Sequence, residues 1–230
     1  MSRLIDLGNV SAEYSVCAEK VLFDTAEENT LILYSRNEPV ISAGRFRNIG
    51  ECVTEHAFED NIRIIRRMSG GSCIFSSPDQ MTYSLILTTD MERNVSFTTI
   101  CNCLIRTLGS LNVRAKYKTP NDVLVNGLKI SGSAQYRRNG RMLQHGTMIL
   151  RNEESNIERY LVRKEGFLKT TSLHDVLGYV PDRKTLKDAF VQGFREFLGD
   201  MKEIGLSVTE EETISASCHS GRGAQLPCGR

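Results

Sequence analysis

At 230 residues, with 40% hydrophobic, 25% charged and 7% aromatic side chains, the chain can bury a sizeable core, and its composition excludes disordered, collagen-like and coiled-coil classes. Its 29 Lys and Arg nearly balance 28 Asp and Glu for a net charge of +1, so no overall field favours nucleic acid or an anionic membrane, and any anion site must be local. No apolar run nears the roughly 20 residues that span a bilayer, and Met1–Asp6 lacks the basic and apolar regions of a signal peptide, which points to the cytoplasm. Seven cysteines is an odd count, and Cys17, Cys101 and Cys103 fall inside helical patterns, so reduced thiols are expected rather than a disulfide framework.

Ser11 reads as the N-cap of an amphipathic helix over 11–26, with Tyr14, Cys17, Ala18, Val21 and Leu22 at helical spacing. Thr30–Ser35 and Val40–Ala43 read as paired strands about an Asn37-Glu38-Pro39 turn, the second ending at Gly44-Arg45. A short helix is expected over 51–60, a strand over 62–67 with Ile74-Phe75 as its partner, and a strand over 81–87. Ile100, Leu104, Leu108 and Leu111 mark a helix from about residue 95 that ends near Gly109. Asn126-Gly127 and Asn139-Gly140 are two-residue hairpin turns, so Asp122–Val125, 128–138 and Met142–Leu150 form consecutive hairpins. Leu186, Phe190, Phe194 and Phe197 define a helix that docks on the sheet, while 215–230 has no periodicity and reads as a tail. Helices flanking antiparallel strand groups predict an α+β (mixed α/β) fold, one domain around a large mixed sheet.

Three segments can carry chemistry. Arg66-Arg67-Met68-Ser69-Gly70-Gly71-Ser72 places two cations at a strand end before small residues that allow close backbone approach, which suits a phosphate or carboxylate. An ordinary surface turn fits Gly70-Gly71 equally. Asn121-Asp122 with Lys129-Ile130-Ser131-Gly132-Ser133-Ala134-Gln135 sets an ammonium beside small residues where a flat ligand could lie, and a solvated hairpin lysine is the plainer alternative. Gln144-His145-Gly146-Thr147 interrupts an apolar strand with a histidine, a residue as suited to a structural hydrogen bond as to catalysis. No His or Cys pair has convincing metal-ligand spacing, and Cys73, which opens an apolar strand, reads as a small buried side chain rather than a nucleophile.

In this order, joined by Met81-Thr82-Tyr83-Ser84 and Gly44-Arg45-Phe46, these motifs resemble the biotin/lipoate A/B protein ligase family, on its lipoate branch, from about residue 10 to about 200. The resemblance implies a class II biotin/lipoate ligase-like catalytic domain over 1–210, with 211–230 as a tail and no C-terminal accessory domain. It implies that lipoate is activated with ATP to an acyl-adenylate and passed to a lysine of a lipoyl carrier domain, an E2 subunit or the glycine cleavage H protein. A separate accessory subunit is the implied complement, and neither nucleic acid nor membrane takes part. On the matching positions, Lys129 and Asp122 are implied as catalytic, Asp122 also as a Mg²⁺ ligand. Arg67, Ser69, Gly70, Gly71, Ser72, Asn121, Ser131, Gly132, Ser133, Ala134, His145 and Gly146 are implied to bind the substrate or adenylate. The chain departs from the family at Ser72, where a third glycine is usual, at Ser76-Ser77 for His-Asp, and at Asp79-Gln80 for Gly-Asn. Three other readings stay open: an octanoyltransferase, although Lys118–Asp122 holds no cysteine; a biotin ligase; and a non-catalytic module that binds a lipoyl or acyl group.

Overall fold

Two Asn-Gly dipeptides build the middle of the molecule. Asn126-Gly127 and Asn139-Gly140 take positive φ at both positions (51° and 81°, then 51° and 72°), the geometry whose twist matches a two-residue hairpin. The computed structural model describes residues 1–163 and 166–219. In chain order it contains β1 (Ser2–Val10), α1 (Ala12–Thr25), β2 (Thr30–Arg36), β3 (Val40–Ala43), a 3₁₀ turn (Ile49–Glu51), α2 (Glu55–Glu59), β4 (Arg63–Arg66), β5 (Ile74–Ser76) and β6 (Gln80–Thr88). There follow α3 (Arg93–Ser110), β7 (Lys116–Lys118), β8 (Asp122–Val125), β9 (Leu128–Arg138), β10 (Arg141–Ile149), α4 (Glu154–Tyr160), α5 (Leu173–Leu177), α6 (Arg183–Leu198), β11 (Met201–Glu203) and α7 (Val208–His219). Eight strands form one mixed sheet in the order β11-β1-β2-β6-β10-β9-β8-β7, and β4-β3-β5 form a second, small sheet.

Both faces of the large sheet are covered. On one, Ile100, Leu104 and Leu108 of α3 and Phe190 and Phe194 of α6 pack with Leu31, Leu33, Tyr83 and Leu85. On the other, Leu22 and Phe23 of α1 pack with Ile32, Tyr34, Ile86 and Leu143. The alternation along β2, Leu31 and Leu33 one way and Ile32 and Tyr34 the other, is the strand period made visible. Ser11 caps α1 by accepting from the Tyr14 N–H, as its sequence position predicts. Among the described residues, no helix is long and apolar enough to cross a membrane.

Several local expectations are corrected. β2 and β3 do not pair: β2 is buried throughout and flanked by β1 and β6, so no edge is left for β3, which joins the small sheet. β5 pairs with β3 rather than with β4. Of the 51–60 helix, the structure forms only the 3₁₀ turn and the short α2. Ser2–Val10, given no element above, is a strand paired in parallel with β2 through a register shift between Asp6 and Gly8. The expectation of reduced thiols fails at Cys52 and Cys73, whose sulfurs are bonded to each other, and holds at Cys17, Cys101, Cys103 and Cys218, which are free. Residues 211–219, assigned above to a tail, belong to α7, where Ile214 is fully buried against Cys17, Ala18 and Val21 of α1. The remainder of that tail, 220–230, lies outside the described residues.

Candidate functional site

The glycine loop begins where β4 ends. Arg67 is 6% exposed, and its guanidinium donates to the loop itself: Nη1 to the Ser42 carbonyl (2.6 Å), Nη2 to the Gly70 and Ser72 carbonyls (2.7 Å each) and Nε to Ser69 Oγ (3.0 Å). Four donors are thereby committed, so Arg67 shapes the loop from within rather than presenting its fork to a ligand. Burial, with the nearby Arg36 and Arg47, pulls its pKa down to about 10, against the opposing pull of Glu19. A neighbouring loop is fastened to the first. Arg45 N–H donates to the Ser69 carbonyl (2.8 Å), and a Cβ on Gly44 would fall 2.2 Å from Gly71 O, an approach only glycine permits.

Beneath this loop lies a buried polar chain. His145 Nε2 meets Ser69 Oγ at 2.6 Å and Nδ1 meets the Glu19 carboxylate at 2.9 Å. Glu19, 2% exposed on the inner face of α1, also accepts from Tyr34 Oη (3.0 Å) and from Ser84 Oγ. Burial alone would raise the Glu19 pKa, but the His145 charge, hydrogen bonds from His145 and Ser84, and the Arg36 charge outweigh it and hold the carboxyl below the ordinary glutamate range. Since the carboxylate can only accept, the Nδ1–H points to Glu19, while Nε2 faces Ser69 Oγ, whose oxygen also accepts from Arg67 Nε. Helix α1, strand β10 and the glycine loop are thus joined by one network.

The lysine reaches the same face through an irregularity. β8 pairs with β9 from Asp122↔Gly132 to Val123↔Ser131, then shifts to Leu124↔Lys129, so Ile130 is an extra residue opposite nothing. Residues three apart on a regular strand point to opposite faces. With the bulge, Ile130 and Ser131 are both buried and Lys129 lies on the face of Gly132. A Cβ on Gly132 would stand 2.6 Å from Lys129 Nζ, so the ammonium folds directly over that glycine. Asp122 Oδ1 holds it at 2.7 Å, with the lysine and aspartate side chains 33% and 14% exposed. Two residues along the same face, roughly 7 Å away by strand rise, Ala134 Cβ lies 4.0 Å from where a Cβ on Gly71 would be. Hence the ammonium and the glycine loop face one strip of β9 rather than separate regions of solvent.

Of the residues implied from the sequence, Lys129, Asp122, Gly132, Ala134, His145 and the loop Arg67, Ser69, Gly70, Gly71 and Ser72 come together on this side of the sheet. Ser131, Ser133 and Gly146 do not. Ser131 pairs with Val123 of the helix-covered core, Ser133 Oγ accepts from Gln144 Nε2 (3.2 Å), and a Cβ on Gly146 would strike Tyr83 Oη at 2.7 Å. These three line the face towards α3 and α6. Asn121 uses its side-chain amide on the Ser133 carbonyl, fixing β9 from its edge. Glu19 was missed, although a carboxylate within the apolar stripe of α1, between Ser15 and Leu22, was the available signal. Among the described residues Asp122 is the one carboxylate paired with the lysine, and no three His, Cys, Asp or Glu are grouped to hold a metal. Cys73 is 2% exposed and bonded to Cys52, which removes it as a nucleophile, while burial pushes the Cys101 and Cys103 thiols up to about 12 and about 11.

Comparison with known proteins shows the family and the fold. The lipoate-protein ligase LplJ of Bacillus subtilis (strain 168) is 27% identical over 200 residues, which cover 81% of this chain. This chain spans only 60% of that relative's length. Two solved structures share the fold: one chain of a bi-partite lipoate protein ligase from Thermoplasma acidophilum (TM-score 0.83, 21% identity, 95% of this chain and 92% of that one) and a lipoate-protein ligase A bound with ATP (TM-score 0.84, 19% identity, 95% and 94%). The family model for the lipoyl protein ligase A/B catalytic domain matches residues 11–195, which contain the glycine loop, the bulged strand and its lysine, and the chain therefore belongs to that family.

Proposed function

We propose that the chain is the catalytic part of a lipoate-protein ligase, which activates lipoate with ATP and passes the lipoyl group to a lysine of a lipoyl carrier domain. The observation that carries this reading is the Lys129 ammonium lying over Gly132, on the strip of β9 that the glycine loop covers at Ala134. In the first step a lipoate carboxylate oxygen attacks the α-phosphorus, the bond to the bridging oxygen breaks, and pyrophosphate leaves. In the second the carrier amine attacks the acyl carbonyl, AMP leaves and the amine proton is released. Negative charge builds on phosphoryl oxygens and then on the carbonyl oxygen, and a fixed ammonium roughly 7 Å along the strand from the loop can serve both. Asp122 holds and directs the Lys129 ammonium, while the loop amides of Gly70 and Gly71 suit the mixed anhydride's oxygens. Mg²⁺ would arrive with the nucleotide phosphates, Asp122 being the carboxylate positioned to share it.

Relatives such as LplJ are longer than this chain, and the Thermoplasma ligase is named as bi-partite and paired with an E2 lipoyl domain. The second fact supports a separate accessory subunit and an E2 lipoyl domain as the acceptor. Octanoyl transfer through a cysteine thioester is disfavoured by the buried, bonded state of Cys73. Incubation with lipoate, Mg²⁺-ATP and an apo lipoyl domain, with and without an accessory subunit, should yield lipoyl-AMP or lipoylated acceptor. Lys129→Ala should lower either rate by about 10²–10³-fold. Wild-type inactivity in every combination refutes the proposal.

A further inference from the structure

The loop that frames the site towards solvent carries more positive charge than the site uses. Arg66 Nη1 donates to three carbonyls of this loop, those of Gly44 (2.8 Å), Arg45 (3.1 Å) and Arg47 (3.0 Å), and Arg47 Nε donates to the Gly71 carbonyl (3.1 Å). The Arg45 guanidinium makes cation–π contacts with two rings, 5.5 Å from the Phe46 centroid and 5.4 Å from that of Tyr136. Phe46 itself is 85% exposed. Such a ring on a mobile loop would mean little, but this loop is clasped at every turn, so the ring is held out in water.

Arg45 and Arg47 flank Phe46 on the loop, and Arg66 reaches the same loop from β4. Among the described residues none of Arg45, Arg47 and Arg66 has a carboxylate partner, whereas the adjacent Arg63 pairs with both Glu13 and Glu38. An exposed apolar anchor beside guanidinium groups that have no carboxylate partner, pre-organised and continuous with the site, has the composition of a protein-docking patch. Its charge selects an acidic partner. A nucleotide phosphate would use the arginines but gain nothing from a phenyl ring standing clear of the surface.

We propose that the 44–48 loop, with Phe46 at its crest, docks an acidic face of the acceptor domain beside its target lysine. This rests on the ligase reading above and names the recognition surface for its second substrate. Phe46 is 85% exposed and lies outside the glycine loop and the Lys129–Asp122 pair, so a charge series at this position isolates docking. With an apo E2 lipoyl domain as probe, calorimetry and the acceptor KM should both rank Phe46→Lys tighter than Phe46→Ala, and Phe46→Asp weakest. The Ala-to-Asp gap should be about tenfold at low ionic strength and close near 0.5 M salt, since a Debye length of about 4 Å screens exposed charge. Lipoyl-AMP formation without acceptor should stay at the wild-type rate in all three, with unchanged thermal melting. An absent or reversed order, or a loss confined to lipoyl-AMP formation, overturns the proposal. If the wild-type chain never turns over but calorimetry still gives this order, docking stands and the ligase reading alone fails.

Discussion

Gly132→Ala tests whether the ammonium must lie where the bulge puts it. The added Cβ would fall 2.5 Å from Lys129 Cε, 2.6 Å from Nζ and 3.1 Å from Asp122 Oδ1, against an ordinary non-bonded separation of about 3.5–4 Å. The ammonium must withdraw by about 1 Å, and it can, because it is the free end of a flexible side chain one-third exposed to water. Stability should therefore fall by less than about 1 kcal/mol. Displacing a charge-stabilising group by that distance should lower lipoyl-AMP formation by about 10²-fold. Gly146→Ala is the matched control. Its Cβ would meet the Gly132 carbonyl oxygen at 2.5 Å and Tyr83 Oη at 2.7 Å, buried atoms that cannot retreat, so it should cost about 1–3 kcal/mol of stability. Single-turnover pyrophosphate release and urea denaturation on the same preparations separate the two. The geometric reasoning fails if Gly132→Ala keeps activity within twofold of wild type, or loses as much stability as Gly146→Ala.

Glu19→Gln should cost about 2–4 kcal/mol at neutral pH by leaving His145 without its buried charge partner. Because the folded carboxyl titrates below the ordinary glutamate range, the gap to wild type is full above that range and closes as pH falls through the folded value, which chemical denaturation at several pH values would follow. Arg67→Lys keeps the charge but loses the fork that holds Ser42, Gly70 and Ser72, so it should cost about 1–3 kcal/mol and speed amide exchange across 69–72. Glu210, held at about 2 chiefly by its hydrogen bond to Arg3, ties α7 to β1. Its contribution, about 1 kcal/mol after solvent screening, is present above the ordinary glutamate pKa and lost as pH falls towards 2; Glu210→Gln should remove it and raise hydrogen exchange in α7 at neutral pH.

The parts legible in the sequence are those set by local chemistry. Asn126-Gly127 and Asn139-Gly140 demand positive φ, and that alone gives the two turns and the register of β9 on β10, hence the strip on which the site is built. Helices α1, α3 and α6 follow from apolar spacing. What could not be read is which edges meet. Asn37-Glu38-Pro39 is a convincing turn, yet β3 cannot pair with β2 because β1 and β6 already occupy both of its edges, and β1 carries Arg3, Asp6 and Gly8 in place of an alternating pattern. The heptapeptide Lys129–Gln135 reads as a single lining, whereas the pleat turns Ser131 and Ser133 to the helices and leaves Gly132 and Ala134 for a ligand.

The bulge is the feature with least trace in the sequence and the largest consequence. Ile130 is an ordinary strand residue, and its extra place in the ladder is set by partners on β8 and by the 169–171 segment, where Lys129 N–H donates to the Lys169 carbonyl and the Lys129 carbonyl accepts from Thr171 N–H. Those two bonds hold the lysine backbone from the edge of β9 opposite β8, beyond the point where β10 stops pairing with it. Without the extra residue, Lys129 would share a face with Ser131 and Ser133 and point its ammonium into the apolar layer formed by Ile100, Leu104 and Phe190, where a charge has no partner. The same offset that spares the core a buried cation therefore delivers that cation to the glycine strip. In this chain the position of the reactive charge is a property of backbone register, and the aspartate that holds it works only once that register is set.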